Sequence, residues 1–163
     1  MQYSIYTDGG CSGNRRDTNC PGAWAYLVLD VGNNIISECS AIEQNTTNNR
    51  MEMQAVIEGL SDLTTLYPSY LTDCIVFTDS RYVADNFSDY IEEWKNNKWR
   101  KKTGGPIINL ELWQQIYEKS KQFRTFKFVW VKAHASNKFN QRVDELVHNH
   151  LYPDRRIHGI KKP

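Results

Sequence analysis

The sequence predicts an α/β protein with a five-stranded mixed sheet, its first three strands antiparallel, flanked by helices. Three observations lead there. Three strand-like runs with short links open the chain, the apolar period switches to a helical one near Asn49, and two more strand-like runs then alternate with helical ones.

The first run, Tyr3 to Thr7, is aromatic and β-branched and meets a turn signal at Asp8-Gly9-Gly10. A polar loop from Cys11 to Cys20 precedes strands at Ala23 to Leu29 and Ile35 to Ile42, and Gly32-Asn33-Asn34 between them reads as a hairpin turn. Met53, Val56, Ile57, Leu60 and Leu63 recur at helical spacing, with Asn49 and Glu52 in the form of a capping box and an end near Leu66, ahead of Pro68. Cys74 to Phe77 reads as a strand ending at Thr78-Asp79-Ser80, and helix-compatible residues follow at Tyr82-Val83-Ala84. A basic, tryptophan-containing segment from Trp94 to Pro106 interrupts the pattern. Leu110, Trp113, Ile116 and Tyr117 mark another helix, Phe126 to Val131 a last strand, and Val143, Leu146, Val147, His150 and Leu151 a last helix. Residues 1–152 are expected to form one domain, and 153–163 a loose, polar, basic tail.

Composition narrows the class. With 163 residues, 40% hydrophobic and 24% charged, the chain is long enough to bury a core without disulfides or a structural metal. No apolar run reaches the roughly 18 residues of a membrane span, and Met1 leads almost directly into a strand. A cytoplasmic protein with no membrane partner is expected. Cys11, Cys20, Cys39 and Cys74 lie far apart without zinc spacing, which fits thiols in a reducing compartment. A net charge of +1 rules out a wholesale polycation, so any nucleic-acid affinity has to come from a patch.

Four acids stand at suggestive places, and each has an ordinary local explanation. Asp8 belongs to an Asp-Gly turn pair, Asp79 can cap a helix, and Asp144 can be a partly exposed helix acid beside Val143 and Val147. Glu52 can complete the capping box, yet its neighbours Ala55, Val56 and Gly59 turn it toward the packed side, where an unpaired carboxylate is costly. In open sheets, ligands gather beyond strand ends, where both Asp8 and Asp79 fall. Periodicity alone does not show that the four acids meet.

Taken together, Tyr6-Thr7-Asp8-Gly9, Thr46-Thr47-Asn48-Asn49-Arg50-Met51-Glu52, Thr78-Asp79-Ser80-Arg81-Tyr82-Val83 and Trp130-Val131-Lys132-Ala133-His134, with Asp144 ten residues after the histidine, resemble type 1 ribonuclease H. The pieces occur in the family's order from about Tyr3 to His150. The resemblance implies the ribonuclease H fold and hydrolysis of the RNA strand of RNA/DNA hybrids, leaving a 5′-phosphate and a 3′-hydroxyl. It also implies that Asp8, Glu52, Asp79 and Asp144 are the metal-binding carboxylates and His134 the mobile catalytic histidine. Asp8 would bridge two ions, Asp144 completing the nucleophile-side one and Glu52 with Asp79 holding the other. Clustered carboxylates repel one another unless divalent cations neutralise them, and an all-oxygen donor set favours two Mg²⁺, with Mn²⁺ able to substitute.

For the substrate, the resemblance implies that Asn14, Asn48, Glu52 and Arg81 line the minor groove beside the RNA 2′-hydroxyls, with backbone groups of Cys11 and Ser12 also reaching the RNA. Arg81 replaces the glutamine of many relatives. Thr47 would hold a DNA phosphate and Asn49 a groove edge. The stretch Trp94 to Lys102 carries five basic residues and no acid, and resembles the family's basic protrusion: Lys98, Arg100, Lys101 and Lys102 are expected on DNA phosphates, with Trp94 and Trp99 packing on sugars or bases. The loop from Gly13 to Cys20, with Arg15 and Arg16, is longer than in many bacterial relatives. A monomer is expected. Two rivals are a hybrid-binding module without turnover, which would need no costly acid cluster, and a DNA-cutting fold relative such as a transposase or junction resolvase, which the Thr46 to Glu52 stretch disfavours.

Overall fold

The computed structural model describes residues 1–13, 20–133 and 136–155. The elements are β1 (Gln2–Cys11), β2 (Cys20–Leu29), β3 (Ile35–Thr46), α1 (Asn48–Leu66), β4 (Asp73–Thr78), α2 (Arg81–Asn96), α3 (Leu110–Ser120), β5 (Thr125–Trp130) and α4 (Lys138–Leu151). The strands form one sheet in the order β3-β2-β1-β4-β5. β2 runs antiparallel to both β1 and β3, while β4 is parallel to β1 and to β5. The expected mixed sheet, with its first three strands antiparallel, is what the chain forms.

Period-two alternation sends the strands' side chains to two apolar layers. Ile5, Trp24, Tyr26, Val28 and Val76 pack with Met53, Val56, Leu60, Ile91, Trp113 and Ile116, joining the sheet to α1, α2 and α3. Tyr6, Ala23, Ala25, Leu27 and Leu29 pack with Val143 and Val147 of α4 on the other face. Both faces of β2 are therefore covered, and its residues from Gly22 to Leu29 are all buried, which explains their near-continuous apolar character. Cys11, Cys20 and Cys74 are buried and Cys39 exposed, all as free thiols, and burial raises the Cys11 thiol to about 11.

Several boundaries differ from expectation. Asp8-Gly9-Gly10 is strand, not turn, because β2 continues to pair it: Asp8 lies opposite Ala25, Gly9 opposite Trp24 and Gly10 opposite Ala23. The cap of α1 is Thr47, whose hydroxyl accepts from Arg50 N–H at 3.1 Å. Asn49 is inside the helix, so the capping box drawn between it and Glu52 does not exist. α2 continues through Trp94 to Asn96 and takes Lys95 into its last turn, so of the segment's basic residues only Lys98 to Lys102 lie beyond the helix. Of the expected tail, Pro153–Arg155 forms a 3₁₀ turn in which Arg155 N–H donates to Tyr152 O at 2.9 Å and its guanidinium lies over the Tyr152 ring, and the rest lies outside the described residues. Among the described residues no helix is long and apolar enough to cross a membrane.

Candidate active site

The parallel pairing of β1 with β4 sets the first two acids side by side. Its last rung joins Thr7 to Thr78, both fully buried, so Asp8 and Asp79 follow at the same level. Asp8 remains on the ladder with β2, whereas Asp79 leaves β4 for the turn into α2, where Ser80 caps the helix by accepting from Val83 N–H at 3.2 Å.

The third acid comes from α1. Glu52 lies in its second turn, and the helix approaches β1 so closely that a Cβ on Gly9 would lie 2.3 Å from the Met51 carbonyl carbon and 2.4 Å from Glu52 N. Only glycine permits that approach. Asn48 fastens the same contact, its Oδ1 accepting from Cys11 N–H at 2.6 Å. Each of Asp8, Glu52 and Asp79 then offers an oxygen within 4.8 Å of the others. Asp144, half-buried on α4, lines the same cleft of about 650 Å³ with Gly10, Asn49, Ser80 and Ala133, but stands outside that tight trio.

Electrostatics match the geometry. Asp8 is 6% exposed, and burial first, then the negative charges of Asp79 and Asp144, push its pKa well above the ordinary carboxylate range. Glu52 is 9% exposed and is pushed the same way by burial, then by Asp8 and Asp79. The two carboxyls titrate together, as a pair drawn toward sharing a proton. One oxygen of Glu52, Oε2, is buried without a hydrogen-bond partner. A buried, unsatisfied oxygen beside two further carboxylates is expensive, and a bound cation relieves that cost. The residues present fit a hard divalent ion held by oxygen.

The expected substrate contacts lie at several places around the cleft and beyond it. Asn48 and Asn49 line the cleft, and Thr47 caps the helix that carries them. Arg81 is exposed at the first position of α2. At the end of β1 the N–H groups are already engaged, Cys11 by Asn48 and Ser12 by Pro21 O at 2.9 Å, so they are not free donors for RNA. Lys98, Arg100, Lys101 and Lys102 are all exposed on the turn after α2, with Lys102 tied to Glu93 at 2.9 Å.

Trp94 corrects the expectation of a nucleic-acid platform: it is 8% exposed, edge-on to Trp113 and stacked with Tyr90, and so belongs to the core. Trp99 is half-buried and set edge-on against Tyr117. Asn14 and His134 lie outside the described residues, as do Arg15 and Arg16, although Ala133 just before the histidine lines the cleft.

Sequence reasoning missed Ser80, Val147, His148, Leu151 and Tyr152 as cleft residues. It also missed Trp130, whose indole N–H donates to Asp79 O at 3.0 Å. The α4 residues carried only a helical apolar stripe as signal, and Trp130 stood inside one of the matching pieces without a role.

The sequence matches the family described as RNase H over residues 1–152. Proteins named Ribonuclease H from Ehrlichia canis and Thermoanaerobacter sp. are 42% and 41% identical to it, over 90% and 87% of this chain and 92% and 84% of their own. Among solved structures, LC9-RNase H1, described as a type 1 RNase H with the type 2 active-site motif, superposes with a TM-score of 0.77 at 27% identity, covering 99% of this chain and 77% of that one. LC11-RNase H1 in complex with RNA/DNA hybrid superposes with a TM-score of 0.68 at 25% identity over 90% of this chain and 94% of that one. With the carboxylate cleft at the joint ends of β1 and β4, these likenesses show that the chain belongs to the ribonuclease H family, as a type 1 member of that family of metal-dependent endoribonucleases.

Proposed function

We propose that this protein hydrolyses the RNA strand of RNA/DNA hybrids at the cleft of Asp8, Glu52, Asp79 and Asp144, with two Mg²⁺ ions, to give 5′-phosphate and 3′-hydroxyl ends. The observation that carries the proposal is the meeting of Asp8, Glu52 and Asp79 within 4.8 Å, two of them buried and with raised pKa values. The solved complex of LC11-RNase H1 with an RNA/DNA hybrid supports the substrate class. Bound ions supply Lewis acidity and positive charge at the scissile phosphate.

The chain's own residues do the rest. Asp8, paired with β2 one residue past the last β1–β4 rung, lies beside both Glu52 and Asp79 and would be the carboxylate that the two ions share, with Mn²⁺ an acceptable replacement. Asp144 closes the opposite wall. Asn48 and Asn49 face the groove, Thr47 a phosphate, and His134, next in sequence to Ala133, serves as the proton carrier. Catalysis needs no second subunit in this reading, and free thiols suit the cytoplasm.

The test is an end-labelled RNA/DNA hybrid, duplex DNA and duplex RNA, each with Mg²⁺, Mn²⁺ or EDTA. RNA in the hybrid is expected to be cut selectively, with silence in EDTA; equal cutting of all duplexes would defeat the substrate assignment. A second expectation concerns the turn after α2. Replacing Lys98, Arg100, Lys101 and Lys102 with glutamine should weaken hybrid binding at least about ten-fold near 0.1 M salt. Since Lys102 already has Glu93 as a partner, the slope of log affinity against log salt should fall by about 2.7, the share of three released counterions, rather than by the share of four. An unchanged slope in a filter-binding salt series removes this surface from the interface.

A further inference from the structure

We infer that Trp130 is a positioning residue that presents Arg81 to a backbone phosphate of the substrate next to the carboxylate cleft. The inference rests on the hybrid-cleaving reading of that cleft. Trp130 ends β5, opposite Thr78 of β4, which puts it alongside the turn that carries Asp79. Its indole makes two contacts there. The ring N–H donates to Asp79 O at 3.0 Å, and the Arg81 guanidinium carbon lies 3.9 Å over the ring centroid.

Neither partner is explained by folding needs. Trp130 is 36% exposed and belongs to neither apolar layer of the protein. Arg81 occupies the first position of α2, where the helix dipole disfavours a cation, and the cap there is provided by Ser80. A cation kept at that position, beside the acidic cleft, has a use outside the helix.

The position of the guanidinium over the ring points to that use. Cation–π contact takes the flat face of the guanidinium and leaves its in-plane N–H donors directed outward, the edge that a phosphate oxygen accepts from in a bidentate pair. A flexible arginine would lose side-chain entropy on binding, and the indole removes part of that loss in advance. The indole itself is held by the Asp79 carbonyl, so the phosphate contact and the metal-binding carboxylate share one anchor.

The experiment compares wild type with R81Q, W130L, W130F and the R81Q/W130L double variant. Hybrid affinity is measured in EDTA across a salt series, with kcat and KM in Mg²⁺ alongside. R81Q should weaken binding about three-fold and lower the salt slope by about one. W130L should weaken it by a similar factor, the double variant should be no weaker than R81Q, and W130F, which keeps an aromatic face, should stay within about two-fold of wild type. The changes should appear in KM rather than kcat. The indole N–H NMR resonance missing from W130F should move in R81Q and on adding hybrid to wild type, a readout that stands even where W130L fails to fold. Independent effects that multiply in the double variant, or an indole resonance indifferent to both R81Q and hybrid, overturn the inference. A wild type that binds or cuts no hybrid overturns the underlying reading instead.

Discussion

Asp8→Asn is expected to lower hybrid cleavage by about 10³-fold or more while leaving hybrid binding in EDTA intact, and at the same time to make the metal-free protein more stable at pH 8. Both effects come from one placement. Asp8 takes part in more of the cleft's pairings than Glu52 does: it acts on Glu52, and Asp79 and Asp144 act on it, while Asp79 also acts on Glu52. Removing its charge would delete the ligand proposed to serve two ions, and it also deletes a buried charge set against three neighbouring acids. Folded Asp8 and Glu52 retain protons at pH values where the unfolded carboxyls have released them. The folded state therefore binds more protons in that window, and stability falls as pH rises from the ordinary carboxylate range up through the raised pKa values. Below that range the penalty is absent. In EDTA, wild type should melt progressively lower between about pH 4 and pH 8, whereas Asp8→Asn should show a shallower decline and melt about 3 to 6 °C above wild type at pH 8. Adding Mg²⁺ should raise the wild type's melting temperature and do little for the variant. A variant that melts below wild type in EDTA at pH 8, or that keeps full turnover, contradicts the assignment of Asp8 as the shared ligand.

The same residues show where sequence stops being informative. Alternation and helical spacing located the five strands and four α-helices of the described residues, since those periods are local properties of the chain. Ends were less legible. Asp8-Gly9-Gly10 has the composition of a turn, and nothing local to it announces that β2 pairs with it through Cys11. Trp94 sits in a basic run that looks solvated, yet the helical phase of Ile91 and Trp94 carries its indole inward onto Trp113. The acids were visible one at a time; what joins them is the rung from Thr7 to Thr78, a relation between residues 71 positions apart that no window along the chain contains. Resemblance to a family supplied that relation as an expectation, and the parallel register supplies its physical cause. Trp130 had no signal of its own, because a tryptophan closing a strand looks the same whether its ring packs into a core or carries an arginine.

Gly9→Ala, the addition of one methyl group, is expected to damage the protein as severely as any single change outside the carboxylates. The new Cβ would lie 2.3 Å from the Met51 carbonyl carbon, 2.4 Å from Glu52 N and 2.6 Å from the Met51 carbonyl oxygen, all backbone atoms with no rotamer to yield. β1 cannot retreat, since Gly9 is paired to Trp24 and the strand is held by β4 from Gln2 to Thr7. The relief has to come from α1, which is itself packed through Met53, Val56 and Leu60, all fully buried. Overpacking of this kind costs about 3 kcal/mol, which for a domain of this length lowers the melting temperature by about 10 °C. The displaced helix carries Glu52, so the oxygens of Glu52 and Asp8 should separate, and the gain in melting temperature expected of wild type with Mg²⁺ should shrink or vanish. The atoms a Gly9 Cβ would strike belong to Met51 and Glu52 and not to the basic turn after α2, so the variant's salt-dependent grip on the hybrid in EDTA should survive below its melting point. Loss of the metal response with retention of that grip separates a displaced Glu52 from general unfolding. A Gly9→Ala protein that melts within about 2 °C of wild type and keeps its full response to Mg²⁺ means that α1 has room the structure denies it, and that the closeness of helix and strand is not what brings the carboxylates together.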